Sequence, residues 1–332
     1  MRLLLIVSSS KLGGVEKLVL SLGKALRDRH TVDVAVIDSA GELHDAYFET
    51  FRTRWDVCTY RSTHGLGIEA ALTLLPLARY DRIHLFNHFA LSELLIAGGY
   101  GPKLIQSIHF HPEAMPEVYR DMLAVHRDEL AGIIVDSDLH RDYLPDARLI
   151  PNFVDTDYFA PSPFPVSRSG VLWVGKFTAA KNPDLLCEII RKASARFTVV
   201  NGVPTVPGTR DYRERLEAAG ARVIEKASAL AMRKLYREHR CLLITSRHEG
   251  TPIALLEAMA CGCIPVSTRA GHIPAVVEHG NTGWLYDTAD EATQALLRDP
   301  CLIPDRCREY ILAHHSAAVV VPQYEEVYGI AP

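Results

Sequence analysis

Short apolar runs alternate with longer amphipathic stretches along most of the chain, and a proline-rich interval splits that alternation into two series. The first series has runs at 3–7, 32–37, 83–86, 104–108, 133–135 and 148–150. The second has runs at 171–174, 197–200, 222–224, 242–245 and 264–267. Continuous apolar runs of this length suit strands buried on both faces of a parallel sheet. The stretches between them read as helices; 15–27, for example, puts Leu18, Leu22 and Leu26 on one face. Strand–helix alternation means parallel α/β units. Pro151, Pro161, Pro163 and Pro165 favour a stiff, extended connection, which predicts an interdomain linker between two Rossmann-like halves. Ligands of open α/β sheets bind at the carboxyl ends of the strands.

At 332 residues and 48% hydrophobic content the chain can fill two such cores. A formal net charge of -4 argues against nucleic acid as the main partner, because phosphate-backbone binding needs clustered positive charge. The apolar start at 3–7 is cut short by polar residues 8–11, so no export signal is expected, and no apolar run approaches the ~20 residues of a spanning helix. Seven cysteines, scattered and without zinc-type pairs, fit a reduced cytoplasmic protein. Cys261 and Cys263 have no partners at zinc spacing and are expected to pack a helix end.

The most informative segment is SRHEGTPIALLEAMACGCIPV at 246–266. It follows a buried run; Thr251 is a good N-cap, Pro252 a good first helical residue, and Gly262 a helix stop. Glu249 then lies in the loop and Glu257 within the helix, roughly ten ångströms apart by helix rise. Between them lies a helix start, where N–H groups and the dipole favour an anion. Hydroxyls, anion, hydroxyls is the pattern of a sugar–diphosphate–ribose ligand.

Glu249, seven residues, then Glu257, continuing into AMACGCIPV, resembles the donor site of family 4 glycosyltransferases. The resemblance implies an α/β GT-B fold, with two Rossmann-like domains facing each other across a cleft. It implies an N-terminal acceptor domain over 1–155, a donor domain over 156–316, and a last helix near 317–332 that returns to the first. In that family the first glutamate contacts the donor sugar and the second the ribose. Gly250, Thr251 and Pro252, before Ile253, stand where many relatives have Gly-Phe-Gly, so a Thr251 hydroxyl would replace the donor that Pro252 lacks. Gly175, Lys176 and Lys181 match the family's diphosphate-binding positions; cations there stabilise the departing diphosphate. Gly13 and Gly14, in KLGGVEK at 11–17, resemble the Gly-Gly-x-Glu loop near the donor phosphates. His109 matches a histidine that reaches toward the donor sugar and could donate a hydrogen bond, with His111 beside it. Gly202 occupies the place of a nucleotide-contacting loop, and Lys226 lies near where relatives read the base.

Other features read as structural. His84 and His88 are expected to be satisfied core residues, and Asn152 and Asp155 turn-formers. Asp155 and Asp157 have metal-binding spacing but fall in the linker segment, and no metal or cofactor is expected.

The function implied is retaining, metal-independent transfer of a hexose-type sugar from a UDP- or GDP-sugar to a hydroxyl acceptor: a glycan, a lipid-linked glycan or a small molecule. Catalytic roles would fall to His109, Glu249, Lys176 and Lys181, and donor binding to the glycines named above with Thr251, Pro252, Ile253 and Glu257. The rival functions are a nucleotide-sugar epimerase or hydrolase on the same scaffold, and a non-catalytic nucleotide-sugar-binding partner. The basic and aromatic stretch FETFRTRW at 48–55 is a candidate for peripheral contact with the inner membrane face.

Overall fold

The computed structural model describes residues 1–9, 13–39, 46, 49–51, 53–56, 75–114, 117–202, 207–298 and 303–330. The chain divides into two units, Met1–Asn152 with Ala317–Pro332, and Phe153–Ser316.

The first unit carries β1 (Arg2–Ser9), α1 (Gly14–Leu26), β2 (Thr31–Ser39), β3 (Arg54–Asp56), β4 (Arg82–Phe86), α2 (Phe89–Ala97), β5 (Leu104–Ile108), α3 (Glu117–His126), β6 (Gly132–Val135) and β7 (Arg148–Leu149). Its strands form one sheet in the order β3-β2-β1-β4-β5-β6-β7, and the pairs are parallel. Leu3, Leu4, Leu5, Ile6 and Val7 are buried in succession, as a central strand covered on both faces requires. On α1, Leu18, Val19, Leu22 and Leu26 are buried. Gly23 admits a neighbour there: a Cβ at Gly23 would stand 2.3 Å from the Phe51 ring. Phe51 is therefore a core residue, 5% exposed. That removes it as a membrane anchor; Phe48 and Arg52 of the same stretch lie outside the described residues.

The C-terminal helix, Ala317–Tyr328, belongs to this unit. Its buried Tyr328 hydroxyl is hydrogen-bonded to His84 Nδ1 at 2.8 Å. Glu325 accepts from Arg29 at 3.1 Å, and Arg148 donates to Glu326 at 2.7 Å.

The second unit carries β8 (Val171–Gly175), α4 (Pro183–Lys192), β9 (Phe197–Asn201), α5 (Arg210–Ala218), β10 (Arg222–Glu225), α6 (Ala229–Glu238), β11 (Cys241–Ile244), α7 (Ile253–Ala260), β12 (Ile264–Thr268), α8 (Ile273–Val276), β13 (Trp284–Tyr286), α9 (Ala289–Leu297) and α10 (Ile303–His314). The sheet runs β10-β9-β8-β11-β12-β13, again with parallel pairs. β8, β9 and β11 present almost unbroken burial, and the buried α7 contributes Leu255, Leu256 and Met259 to the same core.

The change of unit falls at the start of the proline-rich interval, three residues before the expected boundary. The chain changes unit between Asn152 and Phe153, and Pro161, Pro163 and Pro165 lie inside the second unit. The reason is apolar anchoring: Phe153 and Val154 are 1% and 2% exposed, and Val154 bridges to Ser316. Among the described residues no helix is long and apolar enough to cross a membrane.

Candidate functional site

In the second unit the chemistry-bearing residues follow the carboxyl ends of adjacent strands. β8 ends at Gly175, where a Cβ would stand 2.7 Å from the Trp173 indole, so only glycine fits. Trp173 Nε1 donates to Thr245 Oγ1 at 3.0 Å, and that hydroxyl donates to the Lys181 carbonyl at 2.7 Å. Thr245, just past β11, thereby fixes the loop that carries Lys181. The Arg247 N–H donates to the Ala180 carbonyl at 2.8 Å and ties the same two loops again.

These ties bring Lys181 and Glu249 into a direct ion pair. The Ser246 hydroxyl donates to the same carboxylate oxygen, Oε1, at 2.6 Å. Thr268 Oγ1, at the end of β12, donates to the Ser246 carbonyl at 2.7 Å. Gly271 follows in left-handed backbone with φ +55, and a Cβ on it would stand 1.7 Å from the Glu249 carbonyl oxygen. Glu249 is thus held by the loops after β8, β11 and β12 together. Lys176 differs from Lys181: it is exposed and has no ion-pair partner among the described residues. Its charge is available to an anion.

Helix α7 starts one residue later than the sequence suggests. Pro252 is its N-cap, in extended backbone, and Ile253 is the first helical residue. Proline fits there because a cap needs no N–H. Thr251 is buried before it, and no side chain caps the helix. The N–H groups at the helix start have no intrahelical acceptor, and the dipole gives this end the polarity that favours an anion. Gly250 precedes them in the loop. Glu257 is 2% exposed, and the Tyr236 hydroxyl from α6 donates to its Oε2 at 2.9 Å. Burial, reinforced by the Glu257 charge, pushes the Tyr236 hydroxyl well above its ordinary range, so it remains a donor. Tyr236 carries no sequence signal, standing 21 residues before Glu257.

After β9, the Gly202 N–H donates to the Gly175 carbonyl at 2.8 Å and joins the two strand ends. Asn201 beside it is fully buried, and its side-chain amide has no hydrogen-bond partner among the described residues. Lys226, after β10, has φ +54 and donates its N–H to the Asn201 carbonyl.

In the first unit, Gly13 caps α1 in extended backbone and Gly14 opens the helix. Glu16 folds back on Gly13: its Oε2 would lie 2.1 Å from a Cβ there, and its Oε1 accepts from Ser9 at 2.9 Å. Lys11 falls outside the described residues.

His109 follows β5. Asn152 Nδ2 donates to Asp136 Oδ2 at 3.1 Å, which turns Asn152 Oδ1 toward His109 Nδ1 at 3.0 Å. An amide oxygen accepts, so Nδ1 carries the ring proton and the buried Nε2 presents a lone pair with no partner among the described residues. In this tautomer Nε2 is an acceptor, where the sequence reading has His109 as a donor. Asn152 is its positioning residue and not a turn-former. Asp155 does form a turn, accepting from the Asp157 and Tyr158 N–H groups at 3.2 and 2.9 Å.

Burial lowers the His109 pKa to about 4 against the opposing hydrogen bond to Asn152, and burial lowers His140 to about 4 as well. Burial also depresses His84, which is hydrogen-bonded to Tyr328 and Ser107 through its two nitrogens. With folded pKa values below 6.5, the unfolded chain takes up protons first as pH falls. Stability is fully present above about pH 6.5 and declines toward pH 4. Urea unfolding should give a lower midpoint at pH 5.5 than at pH 7, and the gap should narrow in His109→Gln. An equal gap in the variant would show that His109 is not a source of it.

The buried thiols are inert packing groups. Burial pushes Cys261 and Cys307 up to about 12 and Cys263 well above its usual range, and among the described residues the cysteines are free.

Two family models match the chain: Glycosyltransferase Family 4 over residues 12–158, and Glycosyl transferases group 1 over 168–298. N-acetyl-alpha-D-glucosaminyl L-malate synthase of Bacillus anthracis is 40% identical over 96 residues, covering 26% of this chain and 25% of the relative. D-inositol 3-phosphate glycosyltransferase of Segniliparus rotundus is 29% identical over 180 residues, covering 48% and 40%. The matched segments thus span between a quarter and two-fifths of these curated relatives. Among solved structures, Anabaena HepE in complex with UDP and glucose aligns with TM-score 0.81 at 18% identity, covering 99% of both chains. Sucrose-phosphate synthase from Thermosynechococcus elongatus aligns with TM-score 0.80 at 18% identity, covering 99% of this chain and 98% of that one. Both likenesses show the fold.

Proposed function

Because this chain belongs to the family 4 glycosyltransferases and has the GT-B fold, we propose that it transfers a hexose-type sugar from a nucleotide diphosphate sugar to a hydroxyl acceptor, with retention of configuration. The observation that carries this reading is Glu249, held on Lys181 and Ser246 beside the start of α7 and close in sequence to the buried Glu257. A carboxylate fixed by two donors on one oxygen keeps its other oxygen in place for a sugar hydroxyl. The helix start and Lys176 supply positive potential for a diphosphate. Glu257, desolvated and oriented by Tyr236, suits a ribose hydroxyl, and the Asn201–Gly202 corner suits the nucleotide.

The chemistry needs no protein nucleophile. As the sugar–phosphate bond breaks, Lys176, Lys181 and the α7 start stabilise the charge gained by the diphosphate. The acceptor hydroxyl attacks from the face the phosphate leaves, and a phosphate oxygen takes its proton. Glu249 orients the sugar. His109 Nε2, a weak base at neutral pH, accepts a hydrogen bond from a substrate hydroxyl and does not drive deprotonation. No step in this scheme calls on a metal ion.

A panel of UDP- and GDP-sugars read by thermal shift tests the reading. A matched donor at 100 times its Kd should raise Tm by about 4 °C or more, and Glu257→Ala should abolish the shift. No shift with any donor, or the same shift in the variant, would sink the donor assignment. Rapid turnover of the donor alone to free sugar or an epimer would favour the hydrolase or epimerase function. Donor binding without transfer to glycan, lipid-linked or small-molecule acceptors would favour the non-catalytic one.

A further inference from the structure

Four neighbouring strands of the second unit share a feature at the edge opposite to the residues discussed above. Arg222 is the first residue of β10, Arg196 directly precedes β9, Arg168 stands just before β8, and Arg240 directly precedes β11. The sheet order β10-β9-β8-β11 makes these a row along the amino-terminal edge. Lys176, Gly202, Lys226 and Ser246 follow the carboxyl ends of the same strands.

Gly170 draws three of the loops together. It has φ +74, and a Cβ on it would stand 2.8 Å from the Arg196 carbonyl oxygen. That carbonyl accepts from Val171 N–H at 2.8 Å, and the Gly170 carbonyl accepts from Arg240 N–H at 3.2 Å. Around this junction lies a groove of about 700 Å³ lined by Arg168, Arg196 and Arg240. Its remaining lining is almost entirely small, including Ser169, Ser194 and Gly220, and contains no acidic residue.

The three guanidinium groups are tethered to neutral acceptors only. Arg168 donates to the Tyr236 and Cys261 carbonyls at 3.0 and 2.5 Å. Arg240 donates to the Leu296 carbonyl, and Arg196 to the Ser169 hydroxyl at 3.1 Å. Among the described residues none of the three has a carboxylate within ion-pair distance. Helix ends account for the placing of Arg168 and Arg240, since their carbonyl partners lie in the last turns of α6 and α9 and at the end of α7. Each such end carries only about half a negative charge, and Arg196 serves no helix end. Three arginines therefore line one groove with the neutralisation of their charges incomplete, on a chain whose net charge is -4.

We propose that this groove is a second anion site that binds a compact, multiply charged phosphate group, separate from the donor-binding edge. Guanidinium forks match phosphate oxygens two at a time, and small side chains leave room for close approach. The phosphate belongs either to a soluble phosphorylated compound or to a phospholipid headgroup. The site does not depend on the transferase reading.

The probe is inorganic pyrophosphate, titrated by calorimetry into Lys176→Ala, which removes one donor-edge cation that has no ion-pair partner among the described residues. Binding should persist there and weaken about tenfold or more in Lys176→Ala/Arg196→Gln, with partial recovery in Lys176→Ala/Arg196→Lys. Arg196 is exposed and its side chain bonds only Ser169, so these variants should keep the parent Tm. A parallel arm sediments the same proteins with phosphatidylglycerol and phosphatidylcholine vesicles. Pyrophosphate binding that falls with Arg196→Gln assigns a soluble ligand. Binding confined to phosphatidylglycerol vesicles and lost in the same variant assigns a headgroup. Binding of neither probe, or binding indifferent to Arg196, overturns the proposal.

Discussion

Glu249→Gln should lower kcat/KM for sugar transfer by about 10³-fold, with almost all of the loss in kcat. The amide keeps the shape of the side chain and its hydrogen bond with Ser246, so the change removes charge and little else. In the free protein that charge is spent on Lys181. Donor binding introduces a diphosphate that competes for Lys181, and Glu249 then matters most where the sugar gains positive character. Removing Glu249's charge also releases Lys181 for phosphate. The nucleoside diphosphate alone should therefore bind Glu249→Gln as tightly as the parent protein, or a few-fold more tightly. Lys181→Met should be the worse change for folding, because it leaves a largely buried carboxylate without its cation; about 1 kcal/mol is expected after allowance for partial exposure. The double variant should be no less active than the worse single one, since the two groups act as a pair. Loss of transfer and of nucleotide binding in equal measure in Glu249→Gln would place Glu249 in uniform binding instead.

That pairing also marks how far the sequence could be read. The apolar runs located β1, β2 and β4 to β12, mostly because buried parallel strands must be apolar on both faces. β3 and β13 escaped notice because each is a three-residue strand, Arg54–Asp56 and Trp284–Tyr286, without a continuous aliphatic run. The glutamates and lysines were visible as residue types at strand ends, but their division of labour was not. Lys176 and Lys181 look alike in sequence; only the loops fixed by Thr245 and Ala180 show that Lys181 meets Glu249, 68 residues away. Asn152 looked like a turn residue since asparagine commonly is one. Its role in choosing the His109 tautomer depends on Asp136, 16 residues earlier, and no local pattern records such a contact. The boundary lies between Asn152 and Phe153, just past Pro151 and three residues before the expected position. Proline signals stiffness, whereas the boundary is set by where Phe153 and Val154 find a core.

Gly271 had no motif to draw attention to it, and its replacement should be nearly as damaging as loss of Glu249. Gly271→Ala puts a methyl group 1.7 Å from the Glu249 carbonyl oxygen, at φ +55 where a side chain is already disfavoured by about 1 kcal/mol. A carbon and an oxygen cannot approach so closely, so one of the two loops must retreat by more than an ångström. The Glu249 loop is tied to Ala180 through Arg247 and to Thr268 through Ser246, so the displacement reaches the Lys181–Glu249 pair whichever loop yields. Misplacing a positioned group by an ångström costs about 10²-fold in rate, and kcat/KM should fall by at least that. Gly262→Ala separates backbone strain from displacement. Gly262 also has positive φ, +74, but a Cβ there meets its nearest neighbours at 3.4 Å and beyond, at the far end of α7 from Glu249. It should lose about 1 kcal/mol of stability and keep kcat. If Gly271→Ala retained activity within twofold of the parent while losing only the stability seen in Gly262→Ala, the Gly271 contact would be a turn constraint alone, with no part in holding Glu249.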